Sequence, residues 1–285
     1  MTDGQSFYLV LSIFYLIECI KLAPPGSIAL VGRTGAFGRC APRPPLMMAW
    51  GLKKTVFIAP FLPWPGAIYL VSSYTEKRKG FGRISTVSGI RRHQKLIQDV
   101  TRKLRPLAVI NLINFFLLLP LVYIRTYDEG MILLTLAYSY ATQFGTALHY
   151  RVLHKRLLPS FEADRLKTTL YTALLPWHAP RCYDELTLRC SLRWDPIAAL
   201  AANAADKATL ALLQQHWRNA HFLPKPEYPA PALAAAFKQV DLDPSDWLDA
   251  PKTLDGSLYC PCCHSGYTPP ATHCADCKGV ELVKA

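Results

Sequence analysis

The sequence predicts a multi-pass α-helical membrane protein with a transmembrane helical hairpin, a small β-prone or irregular juxtamembrane layer, a cytosolic helical unit and a cysteine-paired C-terminal module. Three observations lead there. Leu107–Ile124 runs for eighteen residues without a charge, and Met131–Tyr150 for twenty with only His149 near its end. At 1.5 Å per residue the first arm covers about 27 Å, close to a hydrocarbon core. Only RTYDEG separates the arms, enough for a tight turn. The net charge of +12 is concentrated beside this pair: Glu76–Arg105 holds ten Lys or Arg against two acids. Basic charge next to an apolar hairpin marks the cytoplasmic side, which would leave Asp128 outside.

The units follow in chain order. Residues 1–22 form an N-terminal membrane helix, in which Phe7–Ile20 is apolar but short for a span. Its acid, Glu18, can pair with Lys21 three residues on. MTDGQ lacks the basic start of a cleavable signal. Residues 23–75 alternate short β-prone runs with Gly and Pro. Thr55–Tyr74 is uncharged, but Pro60, Pro63, Pro65 and Gly66 argue against a regular spanning helix there. Residues 76–106 are basic. Within them Leu96, Ile97, Val100 and Leu104 share one helical face, and Arg91, Arg92, Lys95, Arg102 and Lys103 spread over the rest. That is the build of a helix lying among lipid headgroups.

Residues 107–150 are the hairpin. Ala137, Ala141 and Gly145 recur every four residues, a small-residue stripe suited to close helix packing or to an oligomer contact. Asn111, Asn114 and Gln143 can hydrogen-bond between helices, and Pro120 can kink the first arm. No charge lies in either arm, which excludes an ion path of the pump or transporter kind. Residues 151–222 read as a cytosolic helical unit, with Leu210, Leu213 and Trp217 on one apolar face. His149, His154, His178, His216 and His221 show no ligand spacing, and Cys182 and Cys190 read as buried thiols. Residues 223–255, with six prolines by Pro251, read as a linker containing one short helix near Ala232–Gln239.

Residues 256–285 carry definite chemistry. Cys260 and Cys263 flank two residues, ten residues follow, and Cys274 and Cys277 repeat the pattern. Two such pairs converge on one tetrahedral metal. With five of nine cysteines in this stretch, the rest being isolated, a reducing compartment is indicated. The stretch resembles the zinc-ribbon family: a Cys-Pro-x-Cys knuckle, a short β-hairpin and a second Cys-x-x-Cys before Lys278-Gly279. The resemblance implies one structural Zn2+ on Cys260, Cys263, Cys274 and Cys277. Cys262, His264 and His273 depart from the pattern as further potential ligands.

The expected function is a non-enzymatic scaffold or assembly factor, with membrane lipids around the hairpin and a cytosolic protein partner on the ribbon. The expected location is a membrane crossed more than once, with the C-terminal region cytosolic. An enzyme or enzyme subunit acting on lipid is the alternative, though it could draw only on Glu18, His149 and His178. A membrane-tethered nucleic-acid binder is the third reading, disfavoured because the ribbon holds only Lys278 and Lys284 as cations.

Overall fold

The structure, a computed structural model, describes residues 3–23, 27–32, 40–43, 47–49, 54–59, 61, 63, 68–72, 83–124, 129–158, 162–249, 256–277 and 279–284. Helix α1 (Asp3–Cys19) leads directly into strand β1 (Ile20–Ala23), followed by β2 (Ile28–Gly32), β3 (Cys40–Arg43), β4 (Met47–Ala49), β5 (Lys54–Ile58) and β6 (Ile68–Val71). These strands make two antiparallel three-stranded sheets, ordered β1-β5-β4 and β3-β2-β6. Because the helix ends at Cys19, Lys21 lies on a strand and pairs with Glu185 at 3.2 Å, not with Glu18.

Helices dominate the remainder: α2 (Val87–Arg102), α3 (Arg105–Ile113), α4 (Leu119–Ile124), α5 (Glu129–Leu157), α6 (Glu162–Leu174), α7 (Cys182–Ser191), α8 (Pro196–Ala202), α9 (Lys207–Phe222) and α10 (Ala230–Lys238). Local chemistry sets several starts. Thr86, Asp195 and Asp206 accept hydrogen bonds from the first-turn N–H groups of α2, α8 and α9. A π-turn, Asn114–Leu118, joins α3 to α4 immediately before Pro120. In that register residue 120 would serve the Phe115 carbonyl, but proline has no N–H. Tyr8 Oη of α1 donates to that carbonyl instead, at 3.2 Å. Tyr15 stacks on Phe115 and meets Phe116 edge-on, so α1 is seated where the proline loosens the backbone.

The expected transmembrane hairpin is corrected. Among the described residues no single helix is long and apolar enough to cross a membrane. The apolar stretch of α1, Tyr8–Cys19, is too short, so Phe7–Ile20 is not a span either. Helix α5 has 29 residues, yet Ser139, Thr142, Gln143 and Thr146 dilute its apolar run. Only α2 joined to Arg105–Leu121 meets length and composition, and that pair bends by 47°. The turn at Asp128, the basic residues 77–79, and Pro60 and Pro65 lie outside the described residues.

The two arms do pair through polar contacts. Asn111 Nδ2 donates to Thr146 Oγ1 at 2.7 Å and Asn114 Nδ2 to Thr142 Oγ1 at 2.6 Å. The small-residue stripe is not at this contact: Ala137, Ala141 and Gly145 are exposed, and a Cβ on Gly145 would meet nothing within 4 Å. Two residues are about 200° around a helix, so when Ser139 and Gln143 face inward, Ala137 and Ala141 face out. Helix α5 continues through residue 150, and Tyr150, Leu153 and Leu157 enter the main core.

That core gathers α2, α5, α7, α8, α9 and α10 around Trp194. Trp194 lies against Tyr69 of β6 and donates from Nε1 to His93 Nδ1 at 2.9 Å. The apolar face of α2 is spent here: Val87, Ile90 and Ile97 are buried in protein, whereas Arg91, Arg92, Lys95, Arg102 and Lys103 are exposed. Its apolar side is therefore not free to enter a headgroup layer. Within 223–255, Tyr228, Leu233 and Phe237 also join the core, so α10 is a structural helix. A broad apolar surface remains on α1, α5 and α6, where Leu133, Leu134 and Leu174 each expose more than 60%.

The core contains titratable rings. Burial pulls the His216 imidazole down from its ordinary 6.5 to about 4. Burial and Arg193 do the same to His93. The unfolded chain takes up these protons below about pH 6.5 and the folded chain only near 4. Stability is therefore undiminished above 6.5 and falls as the pH drops through that window, by roughly 3 kcal/mol for His216 at full effect. His216→Phe, which keeps a ring against Tyr228, should flatten the unfolding midpoint between pH 7 and 4.5. An unchanged acid slope would refute the assignment.

Candidate metal centre

The C-terminal module is built from three short strands, β7 (Leu258–Tyr259), β8 (Gly266–Tyr267) and β9 (Val283–Lys284), paired in the order β8-β7-β9. β7 delivers Cys260 to a tight turn, in which the His264 N–H donates to the Cys260 carbonyl at 2.8 Å. His264 takes a left-handed φ of 63° to close that turn. The second turn is closed by Gly279, whose φ of 81° suits a residue without Cβ. Cys274 N and the Val280 carbonyl are hydrogen-bonded at 3.0 Å across it.

These turns bring Cys260, Cys263, Cys274 and Cys277 together with all four Sγ atoms within 4.8 Å of one another. Cys263 and Cys274 approach to 3.6 Å. Tetrahedral metal–thiolate bonds of about 2.3 Å place sulfurs about 3.8 Å apart, so the cluster could hold one metal ion. Cys260 and Cys274 are buried and Cys263 and Cys277 half-buried.

Proton chemistry fits a cation there. Burial raises the Cys274 thiol, but hydrogen bonds with Tyr267 and from the Cys277 and Asp276 backbones outweigh it and bring the thiol down to about 6. Burial pushes Cys260 up to about 11. Cys277 is driven well up by burial and by its thiol neighbours. Sulfurs this close cannot all ionise together without a positive charge between them, and a divalent ion supplies it.

Two of the extra candidate ligands have other partners. Cys262, whose thiol also lies beside that of Cys277, donates from Sγ to Asn219 Oδ1 of α9 at 2.6 Å. His273 is exposed and bonds Thr272. The Cys262 carbonyl accepts from Arg218 Nε at 2.9 Å, and Phe222 and Leu223 pack against the module. The module is thus fastened to the end of α9; it does not hang on a free tether. Arg218 also interacts with Cys262 and Cys263, placing a cation beside a site that four thiolates and a divalent ion would leave negative.

A second constellation was scattered in the sequence. Glu18 meets His178 Nδ1 at 2.9 and 3.0 Å. Arg181, fully buried, pairs with Asp184 at 3.3 Å, donates to Cys19 Sγ and the Phe61 carbonyl, and lies over the Tyr15 ring. His149 is separate, 3.5 Å from Tyr183 Oη. No local spacing links Glu18 to His178, which are 160 residues apart; a lone acid in the apolar stretch Phe7–Ile20 and a His just before Pro180 were the only signals.

Family models, curated proteins and solved structures were all compared with this chain, and none matches.

Metal analysis checks the site. The full-length protein should carry one equivalent of metal, and Cys274→Ser should lose it. The same variant should leave the helical signal nearly intact, because the module's described contacts with the body are made at α9 and Leu223, at the edge of the main core. A full metal equivalent retained by Cys274→Ser would overturn the four-sulfur site.

Proposed function

We propose that this chain is a non-catalytic scaffold or assembly factor whose C-terminal module, shaped by one structural Zn2+, docks a protein partner. The carrying observation is the cluster of four cysteine sulfurs. Four thiolates complete a tetrahedral shell and leave no position for water or substrate, the arrangement of structural zinc. Such zinc contributes about 10–16 kcal/mol at neutral pH, more than a core of this size can supply.

The inner side of the module is occupied by α9, and its outer side offers Thr268, Pro269, Pro270 and His273, all exposed. That is a neutral, mixed face of the kind used for protein contact. Among the described residues of 256–285, Lys284 is the one Lys or Arg, which argues against phosphate backbones. The apolar surface of α1, α5 and α6, with Leu9, Phe144 and Leu170 exposed, supports lipid as a second contact, met from one side by helices that need not cross.

A lipid-acting enzyme is the second reading. The Glu18–His178 contact favours it, since a carboxylate fixing one imidazole nitrogen is a general-base arrangement.

Full-length protein purified by affinity from its own cells should hold zinc, not iron, and recover a partner that survives nuclease. Thr268→Glu with His273→Glu should keep the zinc and reduce recovery at least tenfold. Recovery at the wild-type level by this variant or by Cys274→Ser, or loss of the partner on nuclease treatment, defeats the docking reading. Flotation with phospholipid vesicles tests the lipid contact separately.

A further inference from the structure

Far in sequence from the metal centre, a cavity of about 200 Å³ lies between α1, α4, α5 and the turn after α6. Leu11, Leu119, Leu136 and Trp177 form apolar wall, and Ser139 and Gln143 of α5 supply the polar part. These two side chains stand one turn apart on the same helix face. Ser139 is 1% exposed and Gln143 4%. Within the protein, Ser139 Oγ and Gln143 Oε1 have no hydrogen-bond partner.

Ser139 stands out against its neighbours. The hydroxyls of Ser12, Thr135, Thr142, Thr146, Thr169 and Thr172 all donate to a carbonyl three or four residues back. In the same helix pair Asn111 and Asn114 find threonine acceptors. Buried polar groups are ordinarily satisfied, and here two adjacent ones line the same cavity unsatisfied. A mostly apolar recess, open to the surface beside the exposed Tyr140 and Leu174, with a few converging polar atoms is the build of a small-molecule site.

We propose that this cavity binds a small amphiphile, a single apolar ring carrying a hydroxyl. The size sets the ring count: engineered apolar cavities of about 150 Å³ hold benzene, and this one is modestly larger. The hydroxyl follows from the polar pair, since one O–H group can donate to Gln143 Oε1 and accept from Ser139 Oγ. Trp177 and the leucines take the ring. A hydrocarbon without a hydroxyl leaves both oxygens unsatisfied.

The test uses full-length, metal-loaded protein and two fluorinated probes, 4-fluorophenol and fluorobenzene, followed by fluorine NMR titration. The wild type should bind 4-fluorophenol saturably, at one site, and at least tenfold more tightly than fluorobenzene. Ser139→Ala with Gln143→Leu keeps the cavity's shape and removes its polarity. It should weaken 4-fluorophenol at least tenfold and bring fluorobenzene level with it or ahead. Equal or non-saturating uptake of both probes by the wild type would mean partition onto the exposed apolar surface and overturn the site. So would an unchanged preference in a double variant with wild-type thermal unfolding. If that variant does not fold, the wild-type ratio alone decides.

Discussion

The burial of Arg181 is the constraint on which the rest of the arrangement depends. A guanidinium cannot leave water without partners, and removing one partner of such a pair ordinarily costs about 3–5 kcal/mol. Here one partner is local, Asp184 at the start of α7, and the others come from two distant stretches: Cys19 and Tyr15 at the end of α1, and the Phe61 carbonyl beyond β5. Meeting that requirement brings the N-terminal helix, the first sheet and the helical core to one point. Glu18–His178 and Lys21–Glu185 are formed alongside it, and both tie the end of α1 to the α7 region. At the other end of α7, Ser191 Oγ accepts from the Leu70 N–H and donates to the Leu70 carbonyl, closing the second sheet onto the same helix. Helix α7 is thereby clamped at both ends.

The two functional candidates depend on this frame in different ways. The metal centre is local. Its turns are closed by short-range hydrogen bonds, and it meets the body at α9 through Arg218, Asn219 and Phe222. The cavity beside Ser139 is wholly tertiary, with walls from α1, α4, α5 and the segment at Trp177. It exists because α1 is anchored by Arg181 at one end and by Tyr8 on the Phe115 carbonyl at the other. Metal loss and cavity occupancy should accordingly be independent events.

Much of the architecture was readable along the chain for a definable reason. Cysteine pairs at Cys260/Cys263 and Cys274/Cys277 specify a ligand cluster because each pair lies on one tight turn, so spacing is nearly geometry. Pro120 announced a distortion because a missing N–H acts on its own turn, and the π-turn lies immediately before it. Asn111 and Asn114 were readable as interhelical donors because polar amides in an apolar helix must find partners.

What tertiary packing decided was where each face points. An apolar run has the same composition whether it meets lipid or protein. Residues 107–150 therefore read as a spanning hairpin, although neither helix passes as a span and their inner face is hydroxyls and amides. The basic helix α2 looked interfacial until α8 covered its apolar side. Ala137, Ala141 and Gly145 had packing spacing, but the rotation of α5 follows Thr142 and Thr146, which accept from Asn114 and Asn111, and Tyr150 and Leu153 in the core. Proline content made 223–255 resemble a linker, while Leu233 and Phe237 found core positions that only the folded body provides. Local chemistry reaches a few residues; the contacts at Arg181, Glu18–His178 and the Ser139 cavity join residues that only the fold makes neighbours.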